Sequence, residues 1–352
     1  MSTTAPAAEE FAERLFTAAL GTFDILAVYL GDRLGWYRAL AEGPATADEL
    51  VTRAGGSARY AREWLEQQAA AGYLEPDGDG RFRLPPGAAE VLTDADSLSY
   101  LAPLARMLGA AAVQLPALLR AYRDGGGVSW EEYGPDMREA QADINRPIFL
   151  HQLGGTLRGV PEVHAALSRP GARIADIGCG AGWSSVALAA AYPDATVDGW
   201  DIDAPSIELA RAAAVATGVP ERTTFTVADG AGLPAQSYDA VFAFECVHDM
   251  PDPVAVLRGM RGAVKPDGVV VVMDEAVADR FEAPASDVDR TMYGYSLFIC
   301  LPDGLSTPGS VGTGTVMRPE TLRGYAKEAG FSDIEILPTT EFGFFRFYRL
   351  LP

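Results

Sequence analysis

Three aspartates stand at the carboxyl ends of three successive strand-like runs: Asp176 in "RIADIG", Asp201 in "VDGWDID" and Asp229 in "TVADGAGLP". A glycine turn follows the first, with Gly178, Gly180 and Gly182 ahead of Trp183. A triphosphate-binding loop needs Gly-Lys-Ser/Thr after such a turn, and none follows. A dinucleotide turn needs its third glycine where Trp183 stands. A carboxylate at Asp176 would repel a pyrophosphate and would suit a positive amino group. An acid ending the second strand accepts hydrogen bonds from ribose hydroxyls. Asp229 can accept from an adenine amino group. Singly, Asp201 and Asp229 read as helix caps; together with Asp176 they specify a nucleoside with a cationic tail and no phosphate.

S-adenosylmethionine (SAM) has that composition. The residues expected to hold it are Asp176, Gly178, Cys179, Gly180, Asp201, Ile202, Asp229, Gly230, Phe244 and Glu245. Proton chemistry points to the run "FECVHDMPDP". His248 follows the fourth strand at the edge where ligands bind in open α/β sheets, and an imidazole accepts a proton near neutral pH without strong tuning. It is the expected general base. Asp249 is placed beside it to orient the imidazole or bind substrate, with helix capping as the plainer role. Asp274 and Glu275 end the fifth strand, but no matching Asp-Asn pair accompanies them, so no metal is expected. His151 either faces the pocket or packs, and His164 reads as a surface or packing residue. Tyr293, Tyr295 and Phe298 read as an aromatic wall for the substrate or as the core face of a helix.

These groups need a sheet to align them. From Arg173 onward short apolar strands alternate with helices, which implies crossover connections and a parallel sheet. The last two strands, "DIEILPT" and "FGFFRFYRL", are too close for a crossover and are expected antiparallel. The architecture implied is a seven-stranded, Rossmann-like α/β sheet. Before it, "TADELVTRAGG", "SARYAREWLEQQAAAGYLE" and "YLEPDGDGRFRL" give helix, turn, helix and hairpin, a winged-helix pattern, with Tyr60, Trp64, Leu65 and Ala69 as the apolar face of the second helix. The stretch "RDGGGVSWEEYGPD" reads as a lid or linker loop. The expected division is 1–92 for the winged-helix domain, 93–170 for a helical linker and lid, and 171–352 for the ligand-binding domain with a helical cap at about 280–315.

Acids outnumber bases 48 to 28, for a formal charge of −20. Such a chain repels phosphate backbones, and the helix–turn–helix lacks the basic face of a duplex reader, so no nucleic-acid partner is expected. Three widely spaced cysteines fit neither a disulfide framework nor a zinc motif and suggest a reducing cytoplasm. The early acids Glu9, Glu10 and Glu13 are the reverse of a signal peptide. The run "LFTAALGTFDILAVYL" contains Asp24 and reads as too short for a membrane span; a buried or dimer-interface helix is expected instead.

The segment from Arg173 resembles class I SAM-dependent methyltransferases. "ADIGCGAG", "WDID" and "VADGAGLP" look like their first three motifs, and "YDAVFAFECVHDMPDP" and "VKPDG" like the later ones. The whole chain is similar to the bacterial subgroup with an N-terminal winged-helix domain and helical cap, also through "ICLPDGL" and "AGFSDIEIL". The resemblance implies methylation of a small molecule, at a hydroxyl of an aromatic or lipophilic specialised metabolite. It also implies a homodimer through the N-terminal region and a role for Tyr133 over the cofactor's methionine end. Two other readings stay open: a non-methylating enzyme that retains SAM, and a SAM-binding transcriptional regulator.

Overall fold

The computed structural model describes residues 4–339 and 342–352. These form two compact units, one within residues 4–112 with 139–144 and one within residues 113–138 with 145–339 and 342–352. The stretch expected as a linker over 93–170 is therefore shared between the two.

In the first unit, helix Thr4–Arg33 is followed by helices Trp36–Ala41, Ala47–Ala54 and Ala58–Ala70. The third starts on a capping box: Glu49 N–H donates to Thr46 Oγ1 and Thr46 N–H to Glu49 Oε2. A short antiparallel hairpin, β1 (Glu75–Pro76) and β2 (Phe82–Arg83), completes the expected helix–turn–helix–hairpin order. Trp64 packs edge-on against Trp36 and Tyr37 at the centre of this core. The buried face of helix Ala58–Ala70 is Ala61, Trp64, Leu65 and Gln68. Tyr60, expected inside, is 76% exposed. Trp64 and Leu65 face inward as expected, while small Ala61 rather than Tyr60 occupies the inner position one turn earlier.

Helix Thr4–Arg33 corrects another expectation. Its span Ala7–Arg33 is, by length and composition, long and apolar enough to cross a membrane. Phe11, Leu15, Phe16, Leu20 and Phe23 along it are exposed, so most of its length is not core.

The second unit carries strands β3 (Arg173–Ile177), β4 (Thr196–Asp201), β5 (Thr223–Val227), β6 (Tyr238–Phe244), β7 (Val264–Glu275), β8 (Asp333–Ile336) and β9 (Phe345–Leu351). Their order is β5-β4-β3-β6-β7-β9-β8, the first five parallel and β9 antiparallel to both neighbours. The seven strands and the closing antiparallel pair are as the sequence implies. Every residue of β6 is buried, as a central parallel strand covered on both faces must be. Phe242 and Phe244 pack in the cluster with Val186, Ile207 and Phe347, and Val241 and Ala243 in the opposite one with Leu257, Met260 and Tyr348. The chain order switches direction between β3 and β6, the crevice where ligands of such sheets sit.

The expected lid loop is shorter than read. Helix Leu115–Asp124 ends at Gly125, and a new helix, Trp130–Ile148, begins after Ser129. Ser129 and Glu132 form a capping box, a start signal present in the sequence that the glycine-rich context obscured. Gly134, at φ 76°, breaks that helix near its start. In the region of the expected cap, Asp287–Tyr295 continues through a π-helical turn, Ser296–Cys300, into Leu301–Ser306.

Candidate functional site

Asp176 ends β3 fully buried. Its Oδ2 accepts from Ser184 Oγ at 2.6 Å and Ser185 Oγ at 2.5 Å, both from the first turn of helix Trp183–Ala191. Its Oδ1 has no hydrogen-bond partner among the described residues. Burial pushes this carboxyl up to about 6, against the two serine hydroxyls. The turn then needs glycine for two different reasons. At Gly178 (φ 65°) a Cβ would lie 2.7 Å from Cys246 Sγ; at Gly180 (φ 51°) it would meet nothing within 4 Å, so the backbone there faces open space.

Asp201 fixes the turn from β4. Its Oδ2 accepts from Gly180 N–H and its Oδ1 from Asp203 N–H, each at 2.8 Å. A carboxylate has about four lone-pair directions, so both oxygens can still accept from a ligand. Ile202 beside it is 73% exposed. Asp203 caps helix Ala204–Ala216 through Ser206 and takes a bidentate pair from Arg138, Nε at 2.6 Å and Nη2 at 3.1 Å. Asp229 is exposed and caps its own turn, Oδ1 accepting from Ala231 N–H.

A second group of charges meets at the ends of β6 and β7. His248 is 2% exposed. Its Nδ1 lies 2.9 Å from Asp274 Oδ1 and 3.2 Å from Glu275 Oε2, and its Nε2 lies 3.3 Å from Asp249 Oδ1. Burial alone would lower the imidazole's pKa; the three carboxylates outweigh it and hold the pKa well above the ordinary value. Glu245 sits at φ 52°, a left-handed conformation that costs a non-glycine residue energy and is concentrated at functional sites. Its carboxylate accepts from Asn145 Nδ2 at 3.1 Å. Burial pushes Glu245 and Glu275 each up to about 8, and Asp303, which accepts from Trp130 N–H, up to about 7. The side chain of Asp249 is 32% exposed, against 2% for His248. Asp249 is therefore the member of the pair open to a ligand. The donor atoms of His248, Asp274 and Glu275 lie within 4.8 Å of one another, but 2.9 Å from Nδ1 to Oδ1 is the length of a hydrogen bond, and we read it as one.

Several expected site residues are placed elsewhere. The expected base, His248, is enclosed by three carboxylates that hold its pKa above the ordinary value. The Cys179 thiol packs in the core, and its N–H and C=O are taken by Trp200 O and Gly182 N–H. The Phe244 ring packs between Phe242, Phe149 and Phe347, so only its backbone is left for a ligand. Gly230 is glycine because a Cβ would strike Ile177 at 2.4 Å. The Tyr133 hydroxyl is buried and donates to Phe298 O at 2.6 Å, tying the helix to the cap instead of presenting itself to a cofactor. His151 is exposed and lines a shallow pocket with Gln152, Thr156 and Pro338, none of them in the acid cluster. His164 lies beside Ser168 and Tyr192, a packing role. Of the aromatic wall, Phe298 is 42% exposed, Tyr293 accepts from Arg318 Nη2, and Tyr295 is pushed up to about 12 by burial, with Cys300, Glu245 and Glu275 adding to the shift. Tyr295 thus faces the acids. Arg138 and Asn145 were missed: nothing in the local sequence pairs either with an acid 65 or 100 positions away.

The methyltransferase-domain family matches residues 174–268. The 27-O-demethylrifamycin SV methyltransferase of Amycolatopsis mediterranei (strain S699) is 36% identical over 124 residues, 35% of this chain and 45% of that protein. The chain spans about half or less of the length of the curated relatives it matches. Among solved structures, the mitomycin 7-O-methyltransferase superposes with a TM-score of 0.74 at 23% identity, covering 99% of both chains. An O-methyltransferase of neocarzinostatin biosynthesis, in complex with SAM and 2-hydroxy-5-methyl naphthoic acid, superposes at 0.62 and 22%, covering 93% of this chain and 95% of that one. Residues 174–268 match the methyltransferase-domain family, and the chain has the class I methyltransferase fold with a helical N-terminal region before the sheet.

Proposed function

We propose that the protein is a SAM-dependent methyltransferase that methylates a hydroxyl of a small aromatic or lipophilic metabolite. The observation that carries this reading is the turn at Gly180, open in front of its backbone and held by the Asp201 carboxylate. The residues fit SAM: the orphaned, buried Oδ1 of Asp176 suits an ammonium, Asp201 suits ribose hydroxyls, and exposed Ile202 offers an apolar surface to adenine. When bound, SAM supplies an electrophilic sulfonium methyl. The chain's own residues orient the acceptor and take its proton. Positioning of this kind is worth roughly 7–11 kcal/mol in well-oriented systems. As the acceptor oxygen would gain the methyl and the sulfonium carbon–sulfur bond would break, Asp249 would take the proton that the acceptor hydroxyl loses. His248 stands behind it as the positioning group, its Nε2 3.3 Å from Asp249 Oδ1. Incubation with methyl-labelled SAM and a panel of phenols tests the reading: label should move to an acceptor. Tight SAM binding without transfer to any acceptor would favour the non-methylating alternative.

The protein is further read as a homodimer of the cytoplasm. The support is the exposure of the apolar residues Phe11, Leu15, Phe16, Leu20 and Phe23 on one long helix, since exposed apolar surface marks an interaction site. Light scattering should give twice the chain mass, falling to the single mass in Leu15→Asp/Phe16→Asp. A monomeric wild type would remove the dimer.

A further inference from the structure

We propose that His248, Asp249 and Cys300 form a zinc site, and that an ion there blocks the acceptor's approach to Asp249. The blocking rests on the methyltransferase reading; the binding does not. One donor atom from each of the three residues lies within 4.8 Å of the other two. They come from separate elements: His248 and Asp249 from the segment after β6, Cys300 from the π-helical turn Ser296–Cys300 of the cap. Imidazole, carboxylate and thiolate are the ligand types that zinc takes from proteins.

The geometry on both edges of the imidazole points to an ion. On one edge, Nε2 lies 3.3 Å from Asp249 Oδ1, yet that oxygen is buried and has no hydrogen-bond partner among the described residues. The two atoms stand side by side instead of donor to acceptor. Ligand atoms about 2.0–2.1 Å from a tetrahedral ion are about 3.3 Å apart, so the separation suits two neighbouring ligands. On the other edge, Nδ1 lies 2.9 Å from Asp274 Oδ1. With Nδ1–H donated to that carboxylate, Nε2 is the nitrogen aimed at the ion, and zinc takes the place of its proton, as at metal-bound histidines generally. Asp274 is thus no ligand; it orients one. Asp249 and Cys300 are only partly buried, which gives the ion a way in. Burial pushes the Cys300 thiol up to about 12, so its proton leaves to solvent as the zinc–sulfur bond forms.

The untagged full chain, stripped with EDTA, is titrated with Zn²⁺ against a chromophoric chelator, and so is Cys300→Ser. Wild type should take up one Zn²⁺ per chain. The variant should bind it more than about 100-fold more weakly, since loss of even an outer partner costs about 10–100-fold. Cys179 and Cys246 remain in the variant, so zinc held by those thiols would be unaffected. X-ray absorption at the zinc edge of the loaded wild type needs no variant to fold. It should show one sulfur at about 2.3 Å and nitrogen or oxygen at about 2.0–2.1 Å. No uptake, equal affinity in a folded Cys300→Ser protein, or a shell without sulfur overturns the proposal. Methyl transfer by wild type should stop with Zn²⁺ and return with EDTA, while Cys300→Ser keeps its rate at the same Zn²⁺ concentration; equal inhibition of the two overturns the block. The titration uses no acceptor, so a failure of the methyltransferase reading is seen separately.

Discussion

At the end of β3 the polar atoms are settled by near neighbours. Asp176 takes two serines from the next helix, and Asp201 takes two backbone N–H groups, none more than 21 positions away. At the ends of β6 and β7 comparable carboxylates meet around one imidazole, with the cap and a distant helix supplying the rest. The first region is held by hydrogen bonds between residues close in the chain. In the second, burial raises the carboxyls of Glu245 and Glu275 to about 8. Cofactor affinity should therefore depend on single hydrogen bonds, and the chemistry on a shared pool of charge.

The comparison breaks most visibly at Asp249. Asp249→Asn keeps the shape and removes the proton acceptor, so turnover should fall by about 10²-fold, while SAM affinity stays within about twofold, since the expected cofactor contacts lie at Asp176 and Asp201. Burial raises the Asp249 pKa, so the wild-type rate should climb as pH rises through that raised value, and the residual rate of the variant should not follow it. Steady-state rates of the two proteins across pH 5–9 check this. Equal loss of rate and of SAM affinity would mean that the two regions are not separable.

A smaller effect is expected in stability. Glu245 and Glu275 have folded-state pKa values raised to about 8 from about 4.3 in an unfolded chain. The folded protein therefore binds more protons than the unfolded one between those values, and its stability falls as pH rises through that window. The raised value of His248 acts in the same direction. Thermal unfolding of the ligand-free protein should show a midpoint that declines from pH 5 to pH 8. Glu275→Gln should flatten the decline by an amount on the order of 1 kcal/mol, and Asp176→Asn, whose pKa is raised only to about 6, should flatten it less. A midpoint that rises with pH would contradict the charge assignment.

The same contrast explains what could be read in the sequence. The glycine turn, the acids Asp176 and Asp201, and the strand–helix alternation are local patterns, and the alternation gives the sheet that the sequence implies. The antiparallel end of the sheet followed from a short connection. The state of His248 could not be read, because Asp274 and Glu275 come from another strand and neither their distance nor their burial leaves a local mark. Arg138 and Asn145 escaped for the same reason. Tyr60 misled because a helical period fixes a face only to within one residue, and the choice between Tyr60 and Ala61 is made by packing against Trp36 and Tyr37. Asp229 shows the limit from the other side: it sits at the expected strand end, yet its carboxylate does what a cap does.

The central claim, that a nucleoside with a cationic tail is held at the turn by Asp201, is tested most directly by calorimetric titration of SAM into wild type and Asp201→Ala. The wild type should bind one SAM per chain, and the variant more weakly by about 1–3 kcal/mol, the cost of losing a buried hydrogen-bonding partner. Unchanged affinity in a folded variant, or no binding to wild type, would contradict the account.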